Sequence, residues 1–281
     1  MSAAVEAART RRPAQDWPLA LKAGAALTAL WVFVAIAAPL VAPYDPIAQD
    51  LSVALQPPGL LHPLGTDNYG RDVLSRLIYG SRLDLAMGFV GVLVPFIVGS
   101  LIGLTAGYFG GFVDTALMRL LDITISFPFF VLVIAIVSVL SPGLASFFIA
   151  VALVGWVSYA RLIRSQTLVL KHSDFVTAAR NLGYGHLRIM LRHILPNAIL
   201  PAVVFSMSDV VLTILLGSSL SYLGLGVQPP TAEWGVMIGE GQTFLASAWW
   251  ISFFPGLAIV VLALGFSLLA DGLAAKLGVR E

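Results

Sequence analysis

Five long stretches of this chain contain no Asp, Glu, Lys or Arg, and their length is the strongest constraint on its fold. They are residues 23–44, 85–113, 123–160, 210–232 and 241–270. About 20 consecutive apolar residues cross the core of a bilayer as a helix. The third stretch is long enough for two crossings, with Ser141-Pro142-Gly143 as the turn between them. The chain is therefore predicted to cross a membrane at about residues 19–41, 86–109, 118–140, 144–163, 199–221 and 251–270.

The composition excludes an ordinary soluble domain. Only 11% of the residues are charged and 58% are hydrophobic, whereas soluble domains carry roughly 25% charged residues. The chain has no cysteine, so neither a disulfide nor thiol chemistry contributes to its function. We expect an all-α integral membrane protein with six transmembrane helices and no metal site, because its four histidines are scattered along the sequence.

The distribution of basic residues predicts which side of the membrane each end occupies. Of the 16 Lys and Arg residues, all except Arg71, Arg76 and Arg82 fall on the side of the N-terminus. Cytoplasmic loops are enriched in Lys and Arg, so both termini are predicted to be cytoplasmic. Residues 1–18 would form a cytoplasmic segment and residues 19–281 the transmembrane domain. The first apolar run could be a cleaved signal peptide instead, but it is longer than the usual h-region.

The outer loop before the second span contains a helical pattern at residues 66–82. Thr66 or Asp67 is expected to cap this helix. Its apolar face consists of Val73, Leu74, Leu77 and Ile78, with the charged residues mainly elsewhere. The pattern predicts an amphipathic helix along the membrane surface, or a helix packed on the end of the bundle.

A polar segment, Lys171 to Asn197, separates two apolar runs on the predicted cytoplasmic side. Ser173 or Asp174 is a good N-cap for a first helix. Gly183 is expected to end that helix, because the residue after the last turn often needs positive φ. A second helix is predicted to begin near His186, with an apolar face of Leu187, Met190, Leu191 and Ile194.

Pro196 is expected to interrupt or kink the second helix before the next span. Two other features favour a docking element at residues 165–198. Ala178 and Ala179 have side chains small enough to let another surface approach the backbone closely, and Gly183 lets the chain turn sharply in a confined space. An amphipathic hairpin packed on its own bundle would show the same spacing, so both interpretations stay open on spacing alone.

The segment resembles the EAA loop of ATP-binding-cassette importer permeases. The residues that match in register are Ala178, Ala179, Gly183, Leu195 and Pro196. Two positions depart, since Thr177 replaces a family Glu and His193 replaces a family Ile. In that family the short helix before the glycine inserts into a groove of an ATPase subunit. The resemblance implies ATPase coupling through Asp174, Phe175, Thr177, Ala178, Ala179, Arg180, Leu182 and Gly183.

Other segments resemble the peptide and nickel branch of these permeases, in particular its C members. They are residues 62–67, 70–76, 221–230 and 233–235. The resemblance implies a type I importer permease bundle in a bacterial plasma membrane, for peptides or similar small solutes. The implied partners are two ATP-binding-cassette ATPase subunits, a second and different permease subunit, an extracytoplasmic substrate-binding protein and membrane lipid. No cofactor and no nucleic acid are expected.

The chain lacks a phosphate-binding loop of its own. It has no Gly-x-x-x-x-Gly-Lys-Ser/Thr segment, and none of its lysines follows a glycine. ATP hydrolysis must then come from a partner, so the chain is predicted not to be an enzyme. The alternative is an ion-gradient-driven secondary transporter, which usually carries more intramembrane charge and repeated halves.

Asp209 is the one carboxylate near the middle of a predicted span, with Ser206 and Thr213 about one turn away. Ionisable groups at that depth usually face a cavity or a partner. These residues could line the substrate pathway, where Asp209 would bind an ammonium group. The alternative is a carboxylate paired with a neighbouring helix.

Two further patterns concern packing and the outer surface. Gly99, Gly103 and Gly107 recur every four residues and predict close helix packing, within this chain or against the paired permease. Glu233 and Glu240 lie in a segment rich in Gly and Pro that predicts a re-entrant or lid-like loop. Their carboxylates are expected either to contact a delivery protein or gate, or to be solvated.

Overall fold

The computed structural model describes residues 17–278, and apart from one isolated bridge between Thr66 and Asp72 its regular structure is helical. Most of the predicted N-terminal segment, residues 1–16, lies outside this range. The α-helices of two or more turns are α1 (Leu19–Ile36), α2 (Val73–Phe109), α3 (Gly111–Ile125), α4 (Phe129–Leu140), α5 (Leu144–Leu170), α6 (Asp174–Asn181), α7 (Leu200–Tyr222), α8 (Trp234–Gly241) and α9 (Trp250–Leu277).

Helices α1, α2, α5, α7 and α9 are each long and apolar enough to cross a membrane, which confirms five predicted spans. The sixth predicted span, at about residues 118–140, is not one uninterrupted helix. Helices α3 and α4 occupy that region and are bent by 82° at a break between them, and counted together as one broken span they bring the total to six. Pro128 explains the break, because it lacks a backbone N–H and disfavours helical conformation at Phe127.

Helix α2 unites two elements that the sequence predicts separately. It runs for 37 residues without a break, so the predicted outer helix 66–82 and the second span are one helix. Its cap is Asp72, whose Oδ2 accepts a hydrogen bond from the Ser75 N–H at 2.8 Å. The predicted caps, Thr66 and Asp67, precede the helix instead.

The first turns of α2 pack on the rest of the bundle. Arg76 is buried there together with Val73 and Ile78. The alternative prediction, a helix packed on the end of the bundle, is confirmed.

Helix α2 packs along most of α5, and three glycines determine how close the two helices lie. A Cβ added at Gly99 or Gly103 would lie 2.3 Å from a carbonyl oxygen of α5, at Trp156 and Ala160 respectively. Gly107 meets the next turn of α5 in the same way. The predicted close packing is confirmed, and it lies within this chain.

The other helices are arranged around this pair. Helix α7 lies between α2 and α9, and α1 packs along α9. That second contact is also close, since an added Cβ at Gly24 or Gly272 would lie 2.5 Å from the backbone of the facing helix. The bent pair of α3 and α4 leans on α5, and a cavity remains between this pair, α5 and α7.

Replacing Gly103 by Ala is expected to lower the free energy of unfolding by about 1–3 kcal/mol, because the added methyl group forces α2 and α5 apart. Thermal unfolding of the purified protein in detergent measures the change. Gly256→Ala is the matched control, since Gly256 is helical and no atom lies within 4 Å of the added Cβ. There the better helix propensity of Ala should hold or raise stability. Equal losses at both positions would contradict the close-packing argument.

Candidate functional site

Residues 174–198, here called the inner elbow, begin with α6, which exposes most of its surface. Val176 and Ala179 are buried against the chain's own bundle. The other predicted docking residues are exposed: Asp174, Phe175, Thr177, Ala178, Arg180, Leu182 and Gly183. Of the two small residues, Ala178 is therefore accessible to a partner protein, whereas Ala179 packs against the bundle.

Gly183 follows the end of α6, which is the first helix, or arm, of the elbow, as predicted from its residue type. Its φ is +79°, a conformation that residues with a side chain rarely adopt, and its N–H donates to the Arg180 carbonyl at 2.9 Å. Ser173 occupies the N-cap position, but its Oγ donates to the Leu170 carbonyl and caps no N–H. The Thr177 hydroxyl donates to the Ser173 carbonyl, so the position of the family Glu carries no charge here.

The second arm begins at His186 as predicted, but it is not α-helical throughout. Residues Ile189–Ile194 form a π-helix, and the Leu195 N–H donates to the Met190 carbonyl five positions earlier. Pro196 has no N–H to donate to the carbonyl four residues before it, so a regular α-helix would leave a missing bond at this point.

The wide π turn divides the apolar face that the sequence predicts for the second arm. Met190 and Ile194 are buried in the bundle, whereas Leu187 and Leu191 are exposed. Only two residues of the predicted apolar face are therefore buried. The change from the α period to the longer π period explains this division.

The inner elbow is fixed to the inner end of α2. Tyr108 Oη and His186 Nδ1 form a hydrogen bond of 2.8 Å, and the Arg180 guanidinium lies over the Tyr108 ring. Lys171 Nζ donates to the Gly107 carbonyl at 2.9 Å. The elbow therefore contacts α2 in addition to α5 and α7, which it joins along the chain.

Asp209 lies near the middle of α7 and lines the cavity beside the bent pair. Tyr159 of α5 is fully buried and donates a hydrogen bond from Oη to Asp209 Oδ2 at 2.6 Å. Thr213 also lines the cavity, whereas Ser206 does not and donates its hydroxyl to the Val203 carbonyl. The structure thus combines the two predicted surroundings of Asp209, a neighbouring helix and a cavity.

Four charged side chains, here called the outer ionic cluster, join the region before α2 to α8. Asp67 Oδ2 accepts from Arg71 Nε at 2.6 Å and from Arg76 Nη1 at 3.2 Å. Glu240 Oε2 accepts from an Nη2 atom of each arginine at 2.8 Å. Both arginines are 1% exposed, so their charges depend on the two carboxylates for compensation. The prediction of a solvated Glu240 is wrong.

Asp84 and Glu233 form a buried carboxyl pair close to this cluster. Ser218 Oγ lies 3.2 Å from a carboxyl oxygen of each. Glu233 also caps α8 by accepting from the Gly235 and Val236 N–H groups at 2.9 Å. Burial raises the pKa of Glu233, and the prediction that it is a solvated loop charge is wrong.

No local pattern in the sequence signals these outer contacts. Arg76 and Glu240 are 164 positions apart in the sequence, and Asp84 and Ser218 are 134 positions apart. Periodicity reports which face of a helix is apolar, but it does not report which distant charge covers a polar face. The sequence analysis therefore missed Arg71 and Arg76 as partners of Glu240, and it missed Asp84 as a partner of Ser218.

A helical bundle in which several helices are long and apolar enough to cross a membrane defines a multi-span membrane protein. The sequence matches the family described as "Binding-protein-dependent transport system inner membrane component" over residues 99–279. The chain belongs to this family, whose description places it in the inner membrane.

Relatives in several bacteria share most of the chain. It is 43% identical over 250 residues to the "Di/tripeptide transport system permease protein DppC" of Pseudomonas aeruginosa, covering 87% of this chain and 82% of the relative. It is 41% identical to the "Dipeptide transport system permease protein DppC" of Haemophilus influenzae, covering 85% and 83%. These matches identify an ATP-binding-cassette importer permease similar to the C members of the dipeptide and oligopeptide type.

Solved structures support the fold. A MetNI methionine transporter captured in an inward-facing conformation matches with a TM-score of 0.59 at 18% identity, covering 72% of this chain and 96% of that chain. An amino acid ATP-binding-cassette transporter matches with a TM-score of 0.55, covering 70% and 92%. The importer permease is thus supported over an ion-gradient-driven transporter, in a multi-pass protein of a bacterial plasma membrane.

Replacing Glu240 by Gln is expected to loosen α8. Two buried arginines would then share the single charge of Asp67, and removing one partner of a buried ion pair costs about 3 kcal/mol or more. Hydrogen exchange in α8, followed by mass spectrometry, should become faster by on the order of 100-fold.

Asp122→Asn is the matched control for this variant. Asp122 pairs with Arg161 at 4.0 Å with both side chains more than half exposed, so its loss should cost less than about 1 kcal/mol. Unchanged exchange of α8 in the Glu240 variant would show that the outer ionic cluster does not hold this helix.

Proposed function

We propose that this chain couples ATP hydrolysis by a partner ATPase to alternating access, and that α6 is the element the ATPase moves. The observation that carries the proposal is the division of α6 into two faces. Val176 and Ala179 anchor it on the bundle, while Phe175, Ala178 and Leu182 face outward. A short helix held in this way offers a docking face and transmits force to the spans.

The connections of the inner elbow support rigid-body movement. It lies between α5 and α7 along the chain, and Tyr108 of α2 is bonded to its His186. Lys171, which precedes it, is bonded to the Gly107 carbonyl of α2. A push on α6 would therefore reach three spans together, as domain rotation in alternating access requires. The absence of a phosphate-binding loop from the sequence supports hydrolysis by a separate subunit.

The proposed assembly contains two ATPase subunits and a second, different permease. Each permease would present one elbow, so two permeases would engage two ATPases. The family description, which names a binding protein, supports an extracytoplasmic substrate-binding protein as a further partner. Relatives whose names specify di/tripeptide, dipeptide and glutathione transport support small peptides as substrates.

The proposed orientation places both chain ends and the inner elbow in the cytoplasm. Within the transmembrane domain, residues 19–281, residues 165–198 would be the coupling loop, preceded at the N-terminus by a cytoplasmic segment of residues 1–18. The excess of Lys and Arg on this side supports the orientation. The outer ionic cluster and α8 would then face the extracytoplasmic side.

Replacing Gly183 by Leu is expected to abolish co-purification of the ATPase or transport-coupled hydrolysis, with membrane insertion intact. Leu disfavours a φ of +79°, so the end of α6 would change direction. Gly224→Leu is the matched control, because Gly224 has a φ of +77° and the same open surroundings but lies in the loop after α7. ATPase association and coupling equal to the unmodified protein in the Gly183 variant would refute the docking assignment.

The absence of native cysteine allows a direct test of orientation. Leu182→Cys and Gln228→Cys place single exposed thiols in the elbow and in the loop after α7. A membrane-impermeant maleimide added to spheroplasts should label the thiol at position 228, and label position 182 only after lysis. The reverse pattern would place the elbow outside and exclude ATPase coupling through α6.

A further inference from the structure

The cavity beside Asp209 has the properties of a solute site. Its volume is about 640 Å³, within the roughly 300–1,000 Å³ of small-molecule pockets. It lies between α5, α7 and the break between α3 and α4, and Asp209 near the middle of α7 forms part of its wall. Broken helices surround the substrate in many secondary transporters.

Asp209 brings a negative charge to this cavity without a cation to balance it. Oδ2 is held by Tyr159, and Oδ1 accepts no hydrogen bond from residues 17–278. Asp209 also takes part in none of the ion pairs within the described part of the chain. A carboxylate at such depth is costly unless a positive partner compensates it, so the cavity favours a cationic occupant.

The remaining walls favour an occupant that is otherwise apolar. Phe127, Phe130, Phe205 and Pro95 line the cavity together with aliphatic side chains. The polar groups beside Asp209 are hydroxyls: Thr124, Ser158, Thr213 and Ser219. Hydroxyl groups donate or accept hydrogen bonds without adding charge, which suits a peptide bond. Aromatic faces also attract an ammonium group.

We propose that this cavity is a transient binding site for a solute with a free ammonium group and an apolar body, with Asp209 as the ammonium partner. The assignment rests on the proposed transport function and narrows its substrate class. Thr213 contributes a hydroxyl to the same wall, and Ser206, which is predicted with it, does not reach the cavity. Tyr159 is a positioning residue, since it orients the carboxylate through its hydrogen bond.

The test uses the intact assembly, purified with its partner subunits and binding protein and reconstituted in proteoliposomes with ATP. Asp209→Asn removes the charge, while the amide oxygen can still accept the hydrogen bond from Tyr159. Uptake of radiolabelled dialanine is expected to fall at least tenfold in this variant. Asp209→Glu should retain at least one third of the uptake. Asp271→Asn should have no effect, because that exposed carboxylate of α9 is outside the cavity.

Tyr159→Phe separates positioning from charge. It keeps the carboxylate but loses the hydrogen bond, so the KM for dialanine should rise two- to fivefold while the maximal uptake rate stays within twofold. A purely structural role of Tyr159 would lower the maximal rate or the yield of assembly instead. Subunit composition and the rate of ATP hydrolysis are recorded for every variant.

Four results would overturn the assignment. The first two are full dialanine uptake by the Asp209→Asn assembly and no dialanine uptake by the unmodified assembly. The third is loss of the second permease from the Asp209→Asn assembly, and the fourth is a requirement of uptake for Na⁺ or K⁺ that choline cannot replace. The third would make Asp209 an interface residue, and the fourth would assign the cavity to an inorganic cation. Failure of the proposed function would give a different result. The unmodified assembly would then contain no ATPase subunit, or it would take up dialanine in the absence of ATP.

Discussion

The close approach of α2 and α5 is the constraint on which the rest of the bundle depends. Lipid tails are as apolar as leucine, so two spans gain little hydrophobic free energy by pairing and must gain it from packing contacts. Gly99 and Gly103 let the backbones approach to distances that no side chain would permit. Helix α2, about 55 Å long at 1.5 Å per residue, is thereby held against α5 as a strut.

This strut connects the two sides of the molecule. At its outer end Arg76 and Asp84 hold α8, and Trp234 at the start of α8 donates its Nε1–H to the Leu77 carbonyl. At its inner end Tyr108 is bonded to the elbow. The contacts near the start of α2 include buried ion pairs, whereas those near its end are few and partly buried. A rotation that begins at the elbow would thus carry the outer helix with it.

Features that follow from local composition could be predicted from the sequence. Charge-free runs located the spans, glycine spacing indicated close packing of α2 without specifying its partner, and the need for positive φ located the end of α6 at Gly183. Features that depend on distant partners could not. The outer ionic cluster joins residues far apart in sequence, and the burial of Ala179 rather than Ala178 follows from which side of α6 meets the bundle. Pro128 marks the break between α3 and α4, but the hydropathy of residues 118–140 does not show where a helix is interrupted.

The π-helical segment at Ile189–Ile194 has a consequence for how the elbow is aimed. A π turn contains one residue more than the α turn that it replaces, so the chain before it is offset by about 100° and 1.5 Å relative to the chain after it. The direction in which α6 points relative to α7 therefore depends on the one extra residue in this π turn. In a homologous permease, a one-residue gap at this place would signify a differently directed docking face, although the loop would hardly change in length.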